Sequence, residues 1–523
     1  MKKVLSLCTL MLGAVGLFGC DQSVTAAEKS KSAVENQPVL TKQQELNVVT
    51  PWEITSVDPS KSGYIFQRLQ LAETLVEADE KGNLLPGLAE SWSSNVKGDE
   101  WTFKLRDGVK FHDGSMLQAE NVVQSLQAAL TKPTPLKNIS IQKVTALDDK
   151  TVQITLAEPL VSFPAYLAHS TAMVLAKSAF DEQNNVVKIV GTGPYKADKI
   201  EPPQKIEQSA FANYWGEKAK IEKIIYLANS RSETRTLLAQ SEPNYLVFNL
   251  DAASINRLKQ DANLNIQSKS IARTIQLKVN VAHPLFADVA VRQALSDAID
   301  RRGIAQSVLR IDNGAAEQIV PEAFSAWRLK LESKQPDYAE IKSRLLNLGY
   351  KTDEQGMLLK DGKPFKFTLR TFSDRPELPL IATALQNQWK QIGIDVTVSV
   401  GNFSEIPAGH QDGSLEMGLY ARNYGLVPDV MGAFLQDFAP NGSDWGVMNW
   451  SSNELTDTLK RLEVTTNADE QAGLKQKAAE IIYQQRPLIP VVYYQQTAVA
   501  NKALKGLEID PFERSFKLNK LSW

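Results

Sequence analysis

The sequence is poor in cysteine. Among 523 residues, Cys8 and Cys20 are the two, so no disulfide framework organises the fold. Histidine is nearly as scarce. His112, His169, His283 and His410 are the four, and no two stand three or four positions apart, so no sequence-local metal site is visible. Charge bias is missing as well. Lys and Arg number 58 against 60 Asp and Glu, a formal net charge of −2, which excludes a basic excess suited to nucleic acid. There is no G-x-S-x-G elbow, no H-E-x-x-H and no Walker A sequence. Gly191-Thr192-Gly193 lacks the rest of a dinucleotide fingerprint and runs into Pro194. No cofactor is expected.

What is present begins with an address. Lys2 and Lys3 precede an apolar run, Val4 to Phe18, that is too short to span a bilayer comfortably. It ends in Leu17-Phe18-Gly19-Cys20, which resembles a bacterial lipobox. The expectation is a lipoprotein signal peptide over 1–19, with the Cys20 thiol taking the lipid; the bland alternative is a signal cut elsewhere. Asp21 resembles an inner-membrane retention signal. With Cys8 removed, the mature chain keeps one cysteine and forms no internal disulfide. Without Lys2 and Lys3, 56 basic residues face 60 acidic ones, a formal charge of −4. Residues 20–45 are polar and free of aromatics, which reads as a flexible tether. Such a tether has an end-to-end distance on the order of 25 Å.

A chain of this length has room for two or three domains and ample core. The most organised stretch is Trp101 to Leu126. Trp101, Phe103 and Leu105 alternate with Thr102, Lys104 and Arg106, which predicts a strand. Asp107-Gly108 and Asp113-Gly114 predict turns around a short strand, Val109 to Phe111. A helix carrying Leu117, Val122, Val123 and Leu126 follows, and Pro133 ends it. Elsewhere the pattern predicts a strand at Leu46 to Thr50 and a helix over Tyr64 to Val76. A long helix is expected over Asp288 to Leu309, with Asp288 as its N-cap. Asp361-Gly362 reads as a hairpin turn with Phe367 to Thr371 as its second strand. Helices are expected over 338–348, 379–392, 453–462 and 469–485, and a last strand at Leu488 to Tyr494, where Pro490 suggests an edge or a strand start. The mixture argues an α/β protein of at least two lobes.

Several blocks carry a resemblance when taken in order. They are Ser56-Val57-Asp58-Pro59, Glu73-Thr74-Leu75-Val76, Pro86-Gly87-Leu88-Ala89-Glu90-Ser91-Trp92 and the stretch from Trp101. Gly191-Thr192-Gly193-Pro194-Tyr195, Asn213-Tyr214-Trp215-Gly216, Phe286 to Leu295 with Ala298 to Arg301, Gln391 to Ile394 and Leu488-Ile489-Pro490 complete them. From about residue 46 to 515 the chain resembles solute-binding protein family 5, the extracytoplasmic receptors of peptide, opine and nickel ABC importers. The resemblance implies an α/β, two-lobed periplasmic-binding-protein fold, type II and cluster C-like, with a hinged cleft. It implies lobe I from 46–271 and 491–523, and lobe II from 272–490. It also implies a monomer delivering a small solute to the permease of an ABC importer at the periplasmic side of the inner membrane, with no chemical step. On this reading Trp101, Phe103, Trp215 and the helix carrying Arg292 are structural.

The solute stays open between a short peptide, an opine-like conjugate and a nickel or other metal chelate. Peptide-binding members resemble G-D-x-x-[DE]-P before the position of Pro428, and their Asp pairs with an ammonium group. Here position 424 is Tyr, and no acid lies between Arg422 and Val427. Tyr424-Gly425 with a following Asp429 is closer to nickel-chelate members, although the Arg and Trp they place after the helix that follows Asp113-Gly114 are not apparent between Gln127 and Ile141. Tyr424 would stack on a chelator and Arg422 would hold its carboxylates. Alternatively, Arg422 to Tyr424 are strand-end residues that pack. Asn423, Trp445, Tyr64, Arg68 and Trp52 are further cleft candidates. The alternative function is a periplasmic serine-type enzyme acting on peptides or cell-wall fragments. Ser94-Asn95-Val96-Lys97 matches S-x-x-K, and Lys61-Ser62-Gly63 resembles K-[ST]-G. Their order is reversed, and no S-D-N separates them.

Overall fold

Two long antiparallel strands, Leu264–Val279 and Leu488–Asn501, pair along most of their length and form the centre of a ten-stranded sheet. The structure, a computed structural model, describes residues 44–523 apart from 133, 374, 376 and 439–442. The expected signal segment 1–19, Cys20 and the expected tether as far as residue 43 lie outside the described residues. On one side of the long pair come Met417–Asn423, Lys366–Phe372 and Asp395–Gly401; on the other come Tyr245–Phe248, Glu45–Thr50, Lys223–Ala228, Lys205–Ala210 and Tyr195–Glu201. The sheet is mixed. Glu45–Thr50 runs parallel to both neighbours, whereas the long pair is antiparallel.

The long strands pass from one apolar core to another. Ile271, Ala498 and Ala500 pack with Leu46, Phe66, Phe103 and Tyr226; Ile275, Leu277, Val491 and Val492 pack with Leu295, Trp389 and Leu419. Between these groups the ladder slips at Ser270/Thr274, and it slips again at Ile275/Gln276. Bulges of this kind bend a strand and increase its twist. Pro490 sits opposite Gln276 at the second slip. The strand is therefore central rather than an edge, and the irregular pairing beside its start accommodates the residue that has no N–H.

The stretch from Trp101 folds as its alternation predicts. Glu100–Leu105 lies in a four-stranded antiparallel sheet with Ala89–Ser94, Thr151–Leu156 and Ile141–Asp148, and Trp101, Phe103 and Leu105 point into the core. Val109 to Phe111 forms no full strand; one bridge, Lys110 to Met116, stands in its place. Helix Ala119–Leu130 follows.

Three other expectations are corrected. The first helix spans Pro59–Arg68 rather than 64–76, because Asp58 caps it and Gln70 turns left-handed at φ 57°. The helix capped by Asp288 stops at Asp297. The chain turns there, Asp300 caps a second short helix at Gly303, and a wider π turn covers Ile304–Val308. The Asp361-Gly362 turn joins Leu358–Lys360 to Lys363–Pro364, and Lys366–Phe372 instead pairs in parallel within the large sheet.

Two family-like blocks meet at His112. Its backbone N–H donates to Gly191 O, and its Nε2 donates to Gly193 O at 3.0 Å. Nδ1 is then a buried lone pair without a partner, so protonating it would bury an unsatisfied charge. Burial pushes the His112 imidazole down to about 4. It does the same to His169, whose Nδ1 accepts from Thr171 N. Both rings are neutral in the fold and titrate near 6.5 when unfolded. Their stabilisation is complete above pH 6.5 and is lost as pH falls through 4. Each ring removes about 1.4 kcal/mol per pH unit across that window. Urea unfolding between pH 7.5 and 4.5 should show the loss, and His112→Gln should make the profile shallower by one proton's share.

Candidate functional site

The first helix sets one wall of the candidate site. Asp58 Oδ1 accepts from Ser60 N at 2.8 Å, and Pro59 opens the first turn. That fixes Tyr64 and Arg68 on one face, four residues apart. The Arg68 guanidinium lies 4.3 Å from the Trp52 ring centre and 5.2 Å from that of Tyr64, within cation–π range. Trp52 is anchored from behind, since Tyr226 OH donates to its carbonyl at 2.6 Å.

Glu513 draws the other elements to this wall. Arg68 Nε donates to Glu513 O at 2.6 Å, and its Nη2 reaches Oε1 at 3.4 Å. Arg273, on the long strand, donates through Nη2 to Oε2 at 2.8 Å, and Asn423 Nδ2 reaches the same oxygen at 3.3 Å. Burial alone would push the Glu513 carboxyl up. The guanidiniums of Arg273, Arg68 and Arg375 outweigh it and hold the group below the usual carboxylate range. Arg375 donates to Tyr494 OH at 3.2 Å, and both Arg375 and Arg273 lie within 5.5 Å of the Tyr494 ring centre. Glu377 acts electrostatically on Arg375 and Tyr494, and its Oε1 is buried without a partner. With burial, it leaves the Tyr494 phenol pushed up to about 12.

The cluster holds three guanidiniums against two carboxylates, a formal excess of one positive charge. Arg68 Nη1 and Arg273 Nε are buried donors with no acceptor. Such donors carry a desolvation penalty that an entering carboxylate would remove. Trp52, Tyr64 and Tyr494 add aromatic faces for the body of a solute.

Trp52, Tyr64, Arg68 and Asn423 are thus brought together around Glu513. The other candidates are placed elsewhere. Arg422 projects from the opposite face of its strand and is held by Asp437, with Nε and Nη2 each donating to one carboxylate oxygen at 2.7 Å. Tyr424 is 1% exposed, donates to Gln276 Oε1 at 2.9 Å and packs edge-on against Phe434. Asp429 caps the helix Val430–Asp437 through Met431 N. The Trp445 ring lies against Tyr420, whose hydroxyl donates to the Trp445 carbonyl at 2.5 Å. Arg292 binds the carbonyls of Phe286, Ala287 and Gln485. Lys97 pairs with Asp99 on the surface.

Sequence reasoning missed Arg273, Arg375, Glu377, Tyr494 and Glu513. One local signal was available: Arg273 interrupts the apolar run around Ile271 and Ile275, and a charge in a buried strand calls for a partner. Nothing local indicates that the partner lies 240 residues away. Among the described residues, no group of three or more His, Cys, Asp or Glu side chains is placed to hold a metal ion.

The family model for bacterial extracellular solute-binding proteins, family 5 Middle, matches residues 83–445. The dipeptide-binding protein of Escherichia coli (strain K12) is 24% identical over 463 residues, covering 82% of this chain and 84% of that protein. The solved nickel ABC transporter protein of Bacillus halodurans superposes with a TM-score of 0.77 at 26% identity, covering 92% of this chain and 100% of the other. NikA of Brucella suis, solved in complex with Fe(III)-EDTA, gives a TM-score of 0.83 at 21% identity, covering 91% and 99%. The fold is the two-lobed α/β periplasmic-binding-protein fold. A match across more than half of the sequence, on a matching fold, places the chain among the bacterial extracellular solute-binding proteins of family 5.

Proposed function

We propose that the protein is a receptor that closes two lobes around a small carboxylate-bearing solute and presents it to an ABC importer. The observation that carries this reading is the positive cluster of Arg68, Arg273 and Arg375 around Glu513, with two donors left unpartnered. The relatives are named for dipeptide and nickel, and one holds Fe(III)-EDTA. A dipeptide and EDTA both carry carboxylates. The excess positive charge favours an anionic solute, such as a metal chelate or an opine-like conjugate. A short peptide is the second reading, favoured by the unpartnered Glu377 Oε1, which suits an ammonium group.

In this proposal lobe I is 46–271 with 491–523, and lobe II is 272–490. The division of the apolar cores supports the first limit, since membership changes between Ile271 and Ala272; the second change falls between Val492 and Ala498, a few residues beyond 490. Trp52, Tyr64, Arg68 and Asn423, joined by Arg273, Arg375 and Tyr494, form the solute site. Arg422, Tyr424, Asp429 and Trp445 support the wall behind it. No chemical step takes place; binding shifts the lobes toward the closed state because the solute touches both only there. Cys20 carries the lipid that holds a monomer at the periplasmic face of the inner membrane, near the importer's permease. Among the described residues, no helix is long and apolar enough to cross a membrane.

Mass spectrometry of protein purified from its native periplasm should find one low-mass anionic solute or metal–organic complex. A mixture of peptides would replace the anionic reading with the peptide one. That solute should raise the melting temperature. Arg375→Ala should weaken its binding at least tenfold, as expected for a charge-assisted hydrogen bond of about 1.5–3 kcal/mol. Asp437→Asn should behave differently. It leaves the buried Arg422 without a counter-charge and should lower stability by about 3–5 kcal/mol in urea unfolding, while changing solute affinity less than Arg375→Ala does.

A further inference from the structure

The proposed lobes also meet along a seam that contains none of the solute-site residues. Leu160 to Phe163 form a turn in the lobe I segment, closed by Phe163 N donating to Leu160 O at 3.2 Å. Ser162, at φ −81° and ψ 3°, has the geometry of the third residue of a type I turn. Val161 is then the second residue, whose N–H takes no part in the turn's own hydrogen bond. It donates instead to Glu463 O at 2.8 Å. Glu463 is next to last in the helix Asn453–Val464 of the lobe II segment, and the last four carbonyls of a helix have no partner within it. Each group supplies what the other's element leaves unmet.

A second contact belongs to the same seam. Val427, from the lobe II segment, is 5% exposed and is buried in the apolar core that holds Leu46, Phe66 and Phe103. Its neighbour Pro428 places a carbonyl close to Gly82. Tyr166, from the lobe I segment, links the two contacts. Burial raises its phenol above the ordinary range, and Asp429 and Glu463 both add to the rise. The seam carries repulsion as well. Burial raises the Glu463 carboxyl and Glu158, from the opposite lobe, raises it further, while Lys460 acts the other way. Closure along this seam is therefore favourable but opposed.

We propose that the seam is a latch that closes the lobes without solute, so that the free receptor already populates its closed state and the solute selects it. This rests on the two-lobed receptor reading above. The backbone bond from Val161 and the burial of Val427 draw the lobes together, and the Glu158–Glu463 repulsion keeps the latch reversible. A solute that binds only closed lobes then has an apparent affinity that scales with the closed fraction of the free receptor.

The test is small-angle X-ray scattering of the full-length protein, freed of solute by urea unfolding, dialysis and refolding. Val161→Pro removes the N–H at a turn position that proline favours. It should raise the open-to-closed ratio about fivefold, the worth of one hydrogen bond, and enlarge the radius of gyration. Val161→Ala keeps the N–H and should scatter like the wild type. Val427→Ser should raise the ratio about tenfold through lost apolar burial, and the double variant Val161→Pro/Val427→Ser should be the most open. Glu158→Gln, on an exposed residue, should shift the free receptor toward the closed state. The latch is overturned if the double variant scatters like the wild type, or if Val161→Ala opens the lobes as far as Val161→Pro does. If Val161→Pro fails to fold, Val427→Ser and Glu158→Gln decide the matter by shifting in opposite directions; no shift in either overturns it. Failure of the solute reading shows elsewhere, as no bound solute in mass spectrometry of the native protein, and leaves the scattering result standing.

Discussion

The Glu513 carboxylate is the constraint on which the rest of the structure depends. Its side chain is 1% exposed and sits on a left-handed residue at φ 56°. Non-glycine residues take that conformation at a cost, and they persist there only when the surroundings over-determine them. Here the surroundings are Arg68 from the first helix, Arg273 from a long central strand and Asn423 from the end of a neighbouring strand. One carboxylate thus fixes the mutual positions of segments hundreds of residues apart in the chain. It cannot neutralise all the charge it gathers. Even with Glu377 nearby, three guanidiniums leave a positive excess and unpartnered donors, so the interaction that holds the segments in place also leaves them suited to a carboxylate.

The blocks that carry the family resemblance serve a different end. Gly191 and Gly193 lie so close to the 70–72 backbone that a Cβ would stand 2.2 Å from Leu71 O and 2.0 Å from Gln70 O. Thr192, between them, donates to Glu73, and so do Tyr214 and Trp215. His112 closes the opposite side by binding the carbonyls of both glycines. Four separate blocks therefore meet at one joint. Their residue types follow from close backbone approach and from a buried carboxylate that needs several donors, and they say little about the solute.

This division explains what could be read from the sequence. Alternation placed Trp101, Phe103 and Leu105 inside, and Asp288 and Asp361-Gly362 marked a cap and a turn, because each signal is local. The helix expected over 64–76 ended at Arg68 because its end is set by a left-handed Gln70, which apolar periodicity does not register. The long helix from Asp288 broke because Asp300 offered a second cap within an uninterrupted apolar pattern. Of the candidates named from sequence, Trp52, Tyr64, Arg68 and Asn423 gather around Glu513, whereas Arg422 and Tyr424 bind Asp437 and Gln276. Strand parity decides this. Arg422 and Asn423 are adjacent and project to opposite faces, and the sequence does not say which face meets the cleft.

Closure then comes down to which contacts depend on the solute. Val161 N donates to Glu463 O at 2.8 Å, joining the proposed lobes through backbone groups, and Gly82 lies close to the Pro428 carbonyl. Contacts of this kind are made whatever the cleft holds, so they favour closure without selecting a ligand. The charged groups behave differently. Arg375 comes from the 272–490 segment and acts on Glu513 and Tyr494 at the crossing, facing the wall of Trp52, Tyr64 and Arg68. Bringing three guanidiniums together is electrostatically unfavourable with two carboxylates as their counter-charge, and the proposed anionic solute would remove that penalty only with the lobes together. A ligand can shift an equilibrium only by its difference in affinity between the two states, and in the proposed site charge neutralisation among Arg68, Arg273 and Arg375 supplies such a difference.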